Sequence, residues 1–390
     1  MRLSPPRRRA ERRGLLLWHV WIVLPLVFAT ALAIAAGVFF VGWDLLGAHE
    51  LKPEHRIDSN TLFELVKLSF GVVAGAGALV ALVVAYRRQR VDEDGALREA
   101  TRLHTERFTA AVSQLGDDFA AVRLGGVHAL AGLADDAPTR ELRQTCIDVL
   151  CAYLHLPYTA ASELATDDAD GRRSYLALRE VRHTVIRLIR DHLRLSHPHP
   201  RSWQGHAFDF TGVVFDGGDF TAAEFTGGTV DFTAAEFTDG KVSFLGAKFT
   251  GGDVFFGGAQ FAGGEVSFTE AQFTGGDVSF GGAQFADGTV AFGSARFTGG
   301  NVFLGAKFTG GTGFFTGASF IGGRVEFSAE FAGGTVDFTM AQFTGGTVDF
   351  SDAWFAGGTV DFSGARGAAP DGLPLSGSPL PTGLSLPPAW

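Results

Sequence analysis

Residues 225–237 read FTGGTVDFTAAEF, with a step of seven from Phe225 to Phe232 and a step of five from Phe232 to Phe237. The same steps return in 237–249 (FTDGKVSFLGAKF), 261–273 (FAGGEVSFTEAQF), 273–285 (FTGGDVSFGGAQF) and 355–367 (FAGGTVDFSGARG). Two positions before each Phe stands a smaller apolar residue, Val in the long step (Val230, Val242, Val254) and Ala in the short one (Ala235, Ala247, Ala259). In extended chain, residues i−2 and i share a face, so each unit points two apolar side chains the same way. The residue between Val and Phe then points outward.

Each unit therefore reads as a very short strand followed by a corner. Four such sides close a coil, and stacked coils pair their backbones about 4.8 Å apart with every Phe above another Phe. Gly-Gly in alternate steps lengthens two opposite corners and gives a coil of 24 residues. About seven coils fit between Gly205 and Gly367, a rod of roughly 30–35 Å. Phe297–Phe308 and Phe320–Phe331 each cover eleven residues instead of twelve and begin 23 residues apart, so adjacent coils share one altered side.

A-x-F at five-residue steps resembles the pentapeptide-repeat family, over roughly Ala207–Arg366. Members of that family form right-handed quadrilateral parallel β-helices, and the resemblance implies that fold for residues 205–367. The Gly-Gly steps depart from the family's even spacing and set a 24-residue coil against a 20-residue one. Arg107–Asp136 (RFTAAVSQLGDDFAAVRLGGVHALAGLADD) and Gln144–Tyr158 (QTCIDVLCAYLHLPY) also resemble the helical region of membrane-anchored bacterial pentapeptide-repeat proteins. That likeness implies an architecture and no particular activity.

The N-terminal part reads as a membrane anchor. Leu15–Val41 has no formal charge apart from a protonated His19 and exceeds the ~20 residues a spanning helix needs. Trp18, Trp21 and Trp43 lie near its ends, as interface anchors do. Leu68–Tyr86 (LSFGVVAGAGALVALVVAY) is a second uncharged run. The expected order is a basic segment 1–14, a first span 15–43, an extracytoplasmic loop 44–61 and a second span 62–86. Arg7, Arg8, Arg9, Arg12 and Arg13 precede the first span and Arg87, Arg88 and Arg90 follow the second, which puts both termini in the cytoplasm. Gly71 and Gly75 form a GxxxG, a surface for close helix packing with the first span or with a second copy of the chain.

Residues 92–198 carry helical periodicity, broken at Ala134–Pro138 and at Pro157, and read as a small cytoplasmic bundle of about four helices. Five arginines mark the last one (Arg179, Arg182, Arg187, Arg190, Arg194), a set suited to anionic lipid, to solvent or to the acidic repeat. Cys146 and Cys151 read as reduced core thiols. The fold class is thus mixed: two transmembrane helices, a helical segment and a β-helix. The tail 368–390, rich in Pro, Gly and Ser, reads as disordered.

Charge and motifs narrow the function. Residues 205–367 hold 6 Lys+Arg against 18 Asp+Glu, a balance that repels a nucleic-acid backbone. Those carboxylates read as scattered along the repeat, not striped. No GxxxxGK[ST], HExxH or GxSxG occurs, and a filled β-helix leaves no internal room for a substrate, so no catalytic, cofactor or metal residue is expected. The expected role is a non-catalytic scaffold that holds a rod beneath the membrane for an unidentified protein partner. The family resemblance implies an alternative, an acidic DNA mimic that binds DNA gyrase. Most outward positions between Val and Phe are polar, but Phe255, Phe303 and Phe314 are aromatic and are the candidate protein-binding residues.

Overall fold

The structure is a computed structural model. It describes residues 59–390 apart from 158, 160–163, 166, 197 and 375–377, together with isolated helical positions between 29 and 44. The basic segment 1–14, most of the first expected span and most of the loop 44–61 lie outside the described residues. The chain divides into two units, Met1–Glu99 and Ala100–Trp390.

Four helices are described: α1 (Ser59–Leu115), α2 (Ala120–Asp135), α3 (Arg140–Leu154) and α4 (Ala169–Leu193). Helix α1 contains Leu68–Tyr86, where Leu68, Phe70, Leu82 and Val84 are exposed. Among the described residues, no helix is long and apolar enough to cross a membrane. The side chains of Ser69, Val72 and Val73, within that run, lie outside the described set.

In the second unit, α3 and α4 start where the sequence offers acceptors for their free amides. Thr139 Oγ1 accepts from Leu142 N at 3.3 Å, and Asp168 Oδ1 begins α4 by accepting from Gly171 N at 2.8 Å. Val127, Leu130, Ile147, Leu150, Val185 and Ile189 are fully buried among these helices. Gly126 lets α2 meet the end of α1, for a Cβ there would stand 2.6 Å from Leu115 N. Both cysteines are free and buried, and burial pushes the Cys146 thiol up to about 11.

From Phe208 onward the chain winds into a right-handed parallel β-solenoid of about seven turns, consistent with a pentapeptide-repeat fold. Its four sides, A to D in chain order, hold sheets of seven, seven, eight and seven strands. The coil length changes along the rod. Phe215 pairs with Phe237 after 22 residues, Phe237 with Phe261 and Phe261 with Phe285 after 24 each, and Phe285 with Phe308 after 23. The two shortened units both fall at the corner between sides A and B, in adjacent coils, where Gly305 and Ser328 each replace a two-residue turn.

Apolar periodicity becomes four ladders of rings. On side B, Phe237, Phe261, Phe285 and Phe308 stack at 4.8, 4.6 and 4.5 Å. On side C, Phe244, Phe268, Phe292 and Phe315 stack at 4.8, 4.9 and 4.7 Å. The side A ladder runs through Phe232, Phe256 and Phe280, then continues with the buried Leu304 at the shortened corner before Phe327 resumes it. Each fully buried ring contributes about 2–3 kcal/mol of transfer free energy. The doubled glycines have a steric cause, seen most sharply at Gly334. Its φ is +70°, and a Cβ there would lie 1.6 Å from Gly310 O of the coil before it.

Both rod ends are covered. At the start, Gln144 grips Ala207, donating from Nε2 to its carbonyl (2.7 Å) and accepting its amide at Oε1 (3.0 Å). Ile186 packs on Gly218. Asp216, with its side chain 3% exposed, accepts from Tyr175 Oη at 2.7 Å and Arg179 Nε at 3.1 Å and meets His183 Nε2 at 3.2 Å. Arg182 donates to the carbonyls of Leu154 (2.7 Å) and Val214 (2.6 Å), and Arg190 pairs with Asp219. Arg179, Arg182 and Arg190, three of the five arginines marked in the sequence, are thus spent on the rod.

The tail departs from its expected disorder. Leu384 and Ser385 add a parallel strand to side C by pairing with Val360 and Asp361. Trp390 lies against Phe343 (5.5 Å) and Phe362 (5.7 Å) and donates from Nε1 to Gly367 O at 3.0 Å. Composition argues for disorder, but the last coil presents an uncovered ring layer, and covering it offsets the ordering entropy.

Candidate functional site

The outward positions form vertical columns, one residue per coil. On side A, strand pairing sets Asp209, Asp231, Phe255, Ser279, Phe303, Glu326 and Asp349 in one column, and Asp371 extends it through a bridge to Asp349. Phe255 and Phe303 stand two coils apart, about 10 Å. Phe314 belongs to side C, between Ala291 and Asp337, on the opposite face of the rod. The three candidate aromatics are therefore not one patch.

The polar residues of this column do local work. Asp209, Asp231 and Asp349 accept the amide of the residue two ahead, at Thr211 (3.0 Å), Thr233 (2.8 Å) and Ser351 (2.9 Å). Ser279 does the same for Gly281 at 3.3 Å. This is the Asx or Ser turn that bends the chain into its corner. Burial works against the charge of Asp209, but the amide and hydroxyl of Thr211 prevail and hold its carboxyl below the usual range. Hydrogen bonds from Ser351, helped by Arg324, hold that of Asp349 down as well. A Phe cannot supply the turn bond, so Phe255, Phe303 and Phe314 break the local rule of their own position.

The neighbouring outward column of side A adds Asp253 and Asp277, with Asn301 Nδ2 donating to Asp277 at 2.8 Å. Arg324 is the one cation among the outward strand positions of this side, held by Glu326 (3.1 Å) and Asp349 (3.7 Å). Six of the eighteen repeat carboxylates thus share side A, while the other twelve lie at corners and on the other three sides, so the scattered reading holds for the rod as a whole. Beside the aromatic coils the corner is bare, with Gly257, Gly258, Gly281, Gly282 and Gly305. Phe303, 37% exposed, lays its ring across that track, for a Cβ on Gly281 or Gly305 would meet its Cε1 at 3.2 or 2.5 Å.

Gly71 and Gly75 are exposed on α1, with nothing within 4 Å of a Cβ placed on either. A groove of about 540 Å³ between α4 and the first coils is lined by Arg179, His183, Arg187, Arg190 and Lys241. Most of these already hold carboxylates, including Lys241 with Glu265 at 2.7 Å, so the groove is the docking seam. Among the described residues, no group of three His, Cys, Asp or Glu could hold a metal ion. Sequence reading missed the glycine track and the acids that frame the rings, although both follow once the chain is wrapped at the coil period. It also passed over Trp354, 65% exposed on side B.

No family model, no curated protein and no solved structure matches this chain.

Proposed function

We propose that the protein is a non-catalytic, membrane-anchored interaction rod of the pentapeptide-repeat type, held under the membrane with both termini in the cytoplasm. The observation that carries this reading is the contrast between inside and outside. The interior is filled by stacked rings, while side A holds Phe255 and Phe303 outward on a rigid sheet at the expense of their corner bonds. One exposed ring, Phe303, and one half-buried ring, Phe255, on a preformed surface support binding of a protein partner. The anchor is supported by the 19 uncharged residues of Leu68–Tyr86 and by their outward Leu, Phe and Val side chains. Gly71 and Gly75 suit contact with the first span or with a second copy.

Photo-crosslinking amino acids placed singly at 303, 354, 314 and 296, one on each side, test the rod. Crosslinks to a protein from one side are expected; their absence from all four sides would remove the reading. Alkaline extraction tests the anchor, and a chain that leaves the membrane fraction would defeat it.

A second reading, the DNA mimic that binds DNA gyrase, gains from the net acidity of the repeat. The spread of its carboxylates and the break in the side A column at Phe255, Ser279 and Phe303 weigh against it. A supercoiling assay with the protein decides, because inhibition at stoichiometric ratio would promote it.

A further inference from the structure

The geometry points to one kind of occupant for side A, and the inference rests on the interaction-rod reading above. We infer that this face takes an extended polypeptide segment of about ten residues, cationic at both ends and apolar in the middle. The column reads acid, aromatic, acid: Asp209 and Asp231, then Phe255, Ser279 and Phe303, then Glu326, Asp349 and Asp371. Seven coil steps of ~4.8 Å give ~34 Å, which extended chain covers in about ten residues at ~3.3 Å each.

The middle is built for apolar contact. Two rings flank Ser279, and the corner beside them carries only glycines, over which the Phe303 ring lies as a further apolar surface. The ends are built for cations. Asp209 and Asp231 stand at one end, and Glu326, Asp349 and Asp371 at the other outnumber the lone Arg324. A guanidinium over an exposed ring with carboxylates alongside gains from both. An acidic or neutral partner gains from neither.

The probe is a fluorescent synthetic ten-residue peptide with three arginines at each end and alternating leucine and valine between, titrated against the full chain by anisotropy. Binding is expected, weakening with salt. Phe255→Ser with Phe303→Ser should weaken it at least tenfold, and so should Asp231→Asn with Asp349→Asn, whose side-chain oxygens still accept the amides of Thr233 and Ser351. Phe314→Ser, on the opposite side, should leave it unchanged. Serine already occupies position 279 of the column, so the aromatic pair is expected to fold. The Asn pair gives an independent test if it does not. Equal binding of a glutamate-ended peptide, or unchanged affinity in both double variants, would overturn the inference. Self-association abolished by Arg7→Gln, Arg8→Gln and Arg9→Gln together would assign the face to a second copy and overturn a separate partner. Crosslinks from position 303 without peptide binding would refute the cationic segment and leave the rod reading standing; no crosslink from any side refutes the reading itself.

Discussion

Phe255 and Phe256 are neighbours in the chain that face opposite ways, and replacing each in turn tests the register of the whole rod. Phe256 is fully buried, stacked on Phe232 at 4.8 Å and on Phe280 at 4.6 Å, with Phe268 edge-on at 5.7 Å. Phe256→Ala removes the transfer term, leaves a cavity and breaks two stacks, and should cost about 3–5 kcal/mol. Phe255→Ser loses the partial burial of one ring, roughly 1 kcal/mol. It restores the acceptor that Ser279 offers one coil later, worth about 0.5–1.5 kcal/mol. The two terms nearly cancel, so the net change should stay within about 1 kcal/mol of zero. Urea unfolding followed by circular dichroism measures both, with hydrogen exchange at the side A strands to separate local from global opening. Equal costs at the two positions, or a larger cost at Phe255, would show that the inward and outward assignments are wrong.

Gly334→Ala should be among the most damaging small changes, on the order of 3 kcal/mol or more, since it meets both a left-handed backbone and a carbonyl; a loss under 1 kcal/mol in thermal melts would contradict that contact. Removing residues 384–390 uncovers Phe343 and Phe362 and the free edge of side C, so light scattering should show end-to-end association; a monodisperse truncated chain would mean the tail is not a cap. At the α4 seam, burial opposes the charge of Asp219, but Thr221 and the Arg190 guanidinium prevail and hold its carboxyl below the usual range. A depressed carboxylate contributes stability above its unfolded value of about 3.9, and that contribution fades as pH falls through the lower folded value. Amide exchange in α4 should therefore quicken below about pH 4 and lose that dependence in Asp219→Asn; quickening centred near pH 6 would implicate a histidine instead.

The solenoid was legible because its core obeys a strict rule. A seven-and-five spacing of Phe, with Val or Ala two residues earlier, has few structural solutions, and the paired registers follow it down to the shared shortened corner. What stayed hidden depends on partners distant in the chain. Asp216 looks like any loop carboxylate until Tyr175, Arg179 and His183 close over it, and the α4 arginines look free for lipid until Val214 and Asp219 meet them. Trp390 ends a tail whose composition says disorder, and only an exposed ring layer explains its order. The acids that share side A stayed hidden for another reason. The residues were all in view, but they line up only when the chain is wrapped on its coil.

The two covers on the rod, helical at the start and tryptophan-tipped at the end, dock on its opposite ends. Every coil between them meets copies of itself above and below. Unequal recombination that gains or loses one whole coil keeps the reading frame, preserves both covers and restores each ladder. Such a gene can change the reach of its product in increments of about 4.8 Å while leaving the fold's vocabulary untouched. Length then becomes a heritable trait separate from stability, selected one turn at a time.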